Sequence, residues 1–129
     1  MQTQYAIPLA VVIGVGLGVA GVSLIHAQVK APTPAYVIAE IDVSNQEGYV
    51  KEYLPPSSKA LLDNGARYLA RGSKTVSIKG EPPKRIVVLS FDSLEKAQAA
   101  FASPAFLDAA KIGEQYAKFR IYAVEGMPQ

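Results

Sequence analysis

Between Ala35 and Val43 the sequence AYVIAEIDV alternates so regularly that a β-strand is the natural reading. Val37, Ala39, Ile41 and Val43 share one side; Tyr36, Ile38, Glu40 and Asp42 share the other. The apolar side has to be covered by helices. The mixed side is then presented on the opposite surface of a sheet, where function can sit.

Composition narrows what that function can be. The chain has 129 residues, half of them apolar, which supports one domain and a short appendage but not two cores. Its 13 basic and 11 acidic side chains leave a net charge of +2, too small and too evenly spread for a nucleic-acid partner. Cysteine is absent, so disulfides, thiolate nucleophiles and thiolate metal sites are excluded. The single histidine is His26, in the N-terminal segment. If that segment is removed, imidazole catalysis and His-ligated zinc go with it, and the expectation is no metal and no cofactor. Acid and base work is left to Asp, Glu, Tyr, Lys and Arg.

The first 29 residues hold no charged side chain, and 6–25 is an apolar and small-residue run. This is a membrane-directed segment. Ile25-His26-Ala27 comes close to the small-residue rule for cleavage ahead of Gln28, which predicts a signal peptide over 1–27 and a periplasmic mature protein. The alternative is an uncleaved inner-membrane anchor through 6–25, which is long enough to span a bilayer. The GxxxG of Gly14 and Gly18 reads as part of a Gly-rich signal core. Membrane contact is expected only through this segment. Residues 28–34, QVKAPTP, form an extended proline-rich linker, and the domain is expected over 35–126.

After the first strand, Ser44 and Glu47 have the spacing of a capping box, and Val50, Tyr53 and Leu54 recur at helical spacing. Pro55 and Pro56 should kink or restart that helix before the Asn64-Gly65 stop. RYLAR at 67–71 alternates as a second strand, with a bulge expected at 72–74 and a strand resuming over 75–79. A turn at 80–83 leads into RIVVLSF at 85–91, the most β-branched run of the domain. Asp92 or Ser93 caps a helix carrying Leu94, Ala97, Ala100 and Phe101, and Ser103-Pro104 opens another. FRIYAVE at 119–125 closes the domain as a fourth strand. The order is β-α-β-β-α-β, which predicts an α+β ferredoxin-like sandwich with a four-stranded antiparallel sheet.

From Tyr36 to Gly126 these residues resemble the domain of unknown function 1330 family of the dimeric α/β-barrel superfamily. The marks are AYVIAEIDV, Tyr53 with the prolines after it, Gly65 with Arg67, Arg71-Gly72, Pro83 before Arg85, Phe91-Asp92-Ser93-Leu94-Glu95, Ser103-Pro104-Ala105-Phe106, Arg120 and Val124-Glu125-Gly126. The resemblance implies ferredoxin-like subunits whose sheets pair face to face in a homodimer, and it implies no established reaction. Ser90 stands where an acidic residue is expected, and Phe101 where Trp or Tyr is.

Strict alternation places Tyr36, Ile38 and Glu40, Arg67, Leu69 and Arg71, Ile86, Val88 and Ser90, and Arg120, Tyr122 and Val124 on the open face. One carboxylate would share it with several guanidiniums. Two readings follow: a Glu40 ion pair with Arg71 or Arg120 that bridges strands or subunits, or a ligand cleft at the sheet face or dimer interface. In the second, Arg71 or Arg120 holds an anionic or carbonyl group, with Tyr36 or Glu40 as hydrogen-bonding or acid-base partner. Tyr49, Tyr53, Tyr116 and Phe101 are candidates for pocket walls or plain core. The candidate ligand residues are therefore Tyr36, Glu40, Tyr53, Arg71 and Arg120. The functional expectation is an exported module binding a small organic ligand, with a cofactor-independent monooxygenase-like or isomerase-like enzyme as the alternative.

Overall fold

Alternation dictates the first element: β1 (Ala35–Val43) buries Ala35, Val37, Ala39 and Ile41 and leaves Tyr36, Ile38 and Glu40 half-covered on its other side. The structure, a computed structural model, describes residues 33–128. The expected signal or anchor segment, and the linker up to residue 32, lie outside the described residues. Among the described residues, no helix is long and apolar enough to cross a membrane.

β1 leads into a continuous helical stretch of three parts: α1 (Gln46–Gly48), a π-helix at Tyr49–Tyr53, and α2 (Leu54–Asp63). Asn45 is the N-cap, its side chain accepting from the Gly48 N–H at 3.0 Å. The expected capping box does not form, because the Ser44 hydroxyl donates to the Tyr116 carbonyl. The α-helix restarts at the prolines, as expected: Pro55 and Pro56 occupy its first turn, after the widened one. Without N–H groups they cannot serve the Lys51 and Glu52 carbonyls in α register, so widening the preceding turn costs little there. The Leu54 N–H accordingly reaches back to the Tyr49 carbonyl, five residues away.

The remaining elements are β2 (Arg67–Gly72), β3 (Arg85–Phe91), α3 (Leu94–Phe101), α4 (Pro104–Gly113) and β4 (Ala117–Glu125). Ser93 and Ser103 cap α3 and α4, accepting from the Lys96 and Phe106 N–H groups. The four strands form one sheet in the order β2-β3-β1-β4, antiparallel throughout. Helices cover one side of it, giving the α+β ferredoxin-like plan. The core lies between that side and the helices, around Val37, Tyr49, Leu89 and Phe91.

Two details of the β2–β3 hairpin differ from expectation. Residues 75–79 form no strand, and Val76 and Ile78 stand in solvent. The irregularity lies inside β2 rather than after it: Tyr68 pairs with Leu89 but Ala70 pairs with Val88, so Leu69 is the extra residue of a bulge. One extra residue reverses the faces of everything beyond it. Arg71 therefore stands opposite Val87, on the helix-covered side, and not on the open face where unbroken alternation would put it.

Candidate functional site

The bulge divides the five candidate residues between two faces of the sheet. Tyr36, Glu40 and Arg120 belong to the open face; Tyr53 and Arg71 line a cleft under the helices.

On the open face Glu40 lies between Ile86 and Arg120 in the strand register. Its carboxylate accepts a hydrogen bond from the Tyr122 hydroxyl at 2.6 Å, and this bond holds the phenol above its ordinary value. Arg120, although directly across from Glu40, makes no ion pair with it; its guanidinium carbon lies 5.9 Å from the centre of the Tyr122 ring. The expected Glu40–arginine pair is thus replaced by a carboxylate, phenol and guanidinium arranged around one ring. Arg71, on the other side of the sheet, is not available to Glu40. Tyr36 packs over Gly126, where an added Cβ would come within 2.7 Å of its ring. At the far edge Arg67 donates to the Ser90 hydroxyl at 3.2 Å and to Asp92 at 3.1 Å, so its partners hold it in place. The salt bridge keeps the Asp92 carboxyl below its ordinary value.

The helix-side cleft is built from more elements. Ala39 and Ile41 of β1 and Val87 and Leu89 of β3 form its floor, and Phe119 and Ile121 of β4 one side. The π-helix supplies its roof. Tyr49 and Tyr53 stack with ring centres 5.3 Å apart, and Tyr53 packs on Phe119 at 5.0 Å. Tyr68 and Arg71 of β2 complete the wall, with the Arg71 guanidinium 5.1 Å above the Tyr68 ring and the Tyr68 hydroxyl 3.1 Å from that of Ser58. Burial pushes the Tyr53 phenol far above its ordinary value and the Tyr49 phenol above it too, the latter against the pull of the Arg85 charge. Both are neutral hydroxyls at any physiological pH. With the rings in place the free space is about 30 Å³, room for a water molecule or two. A larger guest has to part the tyrosines.

Arg85 belongs to this side as well. It opens β3 opposite Ile41, and its guanidinium carbon lies 5.4 Å from the centre of the Tyr49 ring. Its Nε is buried and has no hydrogen-bond partner among the described residues. Leaving a buried donor unmade costs about 1–3 kcal/mol. No carboxylate lines the cleft, and neither Arg71 nor Arg85 is in an ion pair among the described residues. Of the cleft lining, sequence reasoning named Tyr53, Arg71, Tyr49 and Phe101 and missed Tyr68; it also missed Arg85, which does not line the cleft but lies behind it against Tyr49. For Arg85 the signal was present: it shares the inward alternation of Val87, Leu89 and Phe91. Tyr116, named as a pocket candidate, lies instead against Gly48, outside the cleft lining.

Comparison with known proteins agrees with this geometry at the level of family and fold. A family model, "Domain of unknown function (DUF1330)", matches residues 34–127. The chain belongs to the DUF1330 family. Among solved structures this DUF1330 chain is similar to the RPA0582 protein of unknown function from Rhodopseudomonas palustris. The TM-score is 0.62 at 12% identity, over 85% of this chain and 94% of that one. It is also similar to SnoaB, a cofactor-independent oxygenase from Streptomyces nogalater. Here the TM-score is 0.54 at 7% identity, over 75% of this chain and 96% of that one. No curated protein matches it. Identities this low speak to fold alone, so the function of this DUF1330 domain has to be argued from its own residues.

Proposed function

We propose that this domain binds a small organic molecule in the cleft between its sheet and the π-helical roof, parting the stacked tyrosines to admit it. The observation that carries the reading is the π-helix itself. A stretch with i+5 pairing is rare and recurs at functional sites, and here it sets two tyrosines over an apolar floor beside Arg71. The cleft supplies an apolar bed for the ligand's body and phenol hydroxyls to orient it.

The open face serves association in this reading. Tyr122 and Val124 are exposed there, and Ile38, Ile86 and Val88 only half-covered, so a second copy of the chain would bury a continuous apolar surface. Export with cleavage ahead of Gln28 completes the proposal, supported by the uncharged apolar run at 6–25.

A second reading, a cofactor-independent enzyme, draws support from the shared fold with SnoaB and from the neutral phenols of the cleft. One experiment addresses both readings. Protein isolated from its native host is denatured and the released small molecules identified by mass spectrometry, beside an Ala39→Leu variant whose longer side chain fills the cleft floor. A compound present with the native chain and absent from the folded variant supports binding. A compound that changes mass on incubation with the native chain, and not with the variant, favours the enzyme. Equal amounts of the same compound from both chains would place the ligand elsewhere and overturn the cleft.

A further inference from the structure

We infer that the ligand of the helix-side cleft carries a negative charge, a carboxylate or an acidic enol or phenol, and that Arg71 and Arg85 receive it. The inference rests on the cleft being the binding site and adds the chemical class of what it takes.

Three observations carry it. First, the two arginines are diagonal neighbours on one face: Arg71 stands opposite Val87, two residues along β3 from Arg85. Like charges so placed repel, with Arg71 reaching solvent and Arg85 half-buried. Second, no carboxylate is there among the described residues. The described carboxylates nearest in register, Glu40 and Asp42, alternate to the opposite face and are engaged with Tyr122 and Lys84. Among the described residues Arg71 lies over the face of Tyr68, and Arg85 lies over the ring of Tyr49 and interacts with its hydroxyl; neither meets a carboxylate. Third, the Nε of Arg85 is buried with its donor unmet. Arg67 shows the contrast: at the open face of the same hairpin its guanidinium is satisfied by Ser90 and Asp92.

A pair of unneutralised guanidiniums, one with an unmet buried donor, beside phenol hydroxyls that stay protonated, is a receptor for an anion. The tyrosines can donate to the same group. The apolar floor of Ala39, Val87 and Leu89 selects a hydrocarbon or aromatic body behind it.

The test compares two probes with one body, 2-naphthoate and the neutral 2-naphthalenemethanol, titrated calorimetrically into residues 28–129, with the full chain in detergent as a second preparation. The expected result is naphthoate binding at least tenfold tighter than the alcohol. Arg71→Met and Arg85→Met should each remove most of that preference and leave the alcohol's affinity within about twofold, while Arg85→Lys retains part of it. Circular dichroism and a melt confirm that each variant is folded. If Arg85→Met fails to fold, Arg71→Met and Arg85→Lys decide. Equal affinities for the two probes, or a preference that survives every arginine substitution, would overturn the charge inference. If Ala39→Leu abolishes binding of both probes even so, the cleft reading stands without it. Failure of both probes to bind at millimolar concentration, or undiminished binding by Ala39→Leu, would overturn the cleft and the inference together.

Discussion

The two faces of this sheet are made by the same four strands and have opposite electrostatic habits. On the open face Glu40 is met by Tyr122 and Arg67 by Ser90 and Asp92, while Arg120 has an aromatic ring for company, as Arg71 and Arg85 do on the other side. On the helix side Arg71, which reaches solvent, and Arg85, half-buried with its Nε unmet, lack carboxylate partners among the described residues. A face whose polar groups are satisfied can serve packing or association. A covered face that keeps a buried donor unmet, at the Arg85 Nε, invites a ligand, and the contrast is what assigns association to one side and binding to the other.

The comparison breaks most visibly in the core. Phe91 is fully buried and meets Phe101 edge-on at 6.1 Å. Phe91→Ala should lower unfolding free energy by about 3–5 kcal/mol. Val124→Ala, exposed on the open face, should change it by no more than about 0.5 kcal/mol. Urea denaturation of the two variants measures both. Equal losses would mean that the helix side is not the core of the domain.

Gly113 tests the cleft more finely. A Cβ there would sit 2.5 Å from Tyr53 Cδ1 and 3.1 Å from Phe119 Cζ, so the Tyr53 ring has to move. Gly113→Ala should cost about 1–3 kcal/mol and change probe binding along with stability. A variant that loses stability but binds naphthoate unchanged would show that Tyr53 does not shape the site.

These same residues mark what could be read from the chain beforehand. β1 and β3 were legible because each keeps one unbroken period, and the Ser93 and Ser103 caps because capping depends on the local sequence alone. The strand order followed from the element order. Glu40's partner was not legible: the register puts Arg120 directly opposite, yet a diagonal phenol takes the carboxylate. Nor was the bulge at Leu69, since RYLAR alternates equally well with or without it and only pairing to β3 decides. That single residue carried Arg71 from one candidate site to the other. The π-helix had a trace in Pro55-Pro56, which predicts that the helix restarts there without saying that the preceding turn widens.

On the open face a charge should matter to association far more than to the fold. Val88 is only half-covered in the single subunit. Val88→Glu should therefore shift its stability by less than about 1 kcal/mol while halving the sedimenting mass of a face-to-face dimer. If the unaltered 28–129 fragment already sediments as a monomer at micromolar concentration, the open face is not a self-association surface.

The smallest effect separates the faces by their tyrosines. Tyr53 is held far above the ordinary phenol value of 10.0 by burial, and Tyr122 above it mainly by its hydrogen bond to Glu40. In both cases the folded chain keeps the proton longer than the unfolded one does, so each contribution is full below the unfolded value and is lost as pH rises towards the folded one. The losses differ in kind. Tyr122 is accessible, so its proton can leave while the sheet stays intact, and only the bond to Glu40 goes with it. Tyr53 has no such route, because a phenolate beneath the π-helix would be desolvated, and it ionises with unfolding. Phenolate absorbance followed with circular dichroism from neutral pH into alkali should thus resolve an early step without loss of structure and a late step coincident with it. Tyr122→Phe should diminish the early step. Tyr53→Phe should diminish the late one and flatten the decline of stability above a pH of about 10. If Tyr53→Phe leaves the late step unchanged, the phenol is reached by solvent in the folded chain, and the roof of the cleft is open without a ligand to part it.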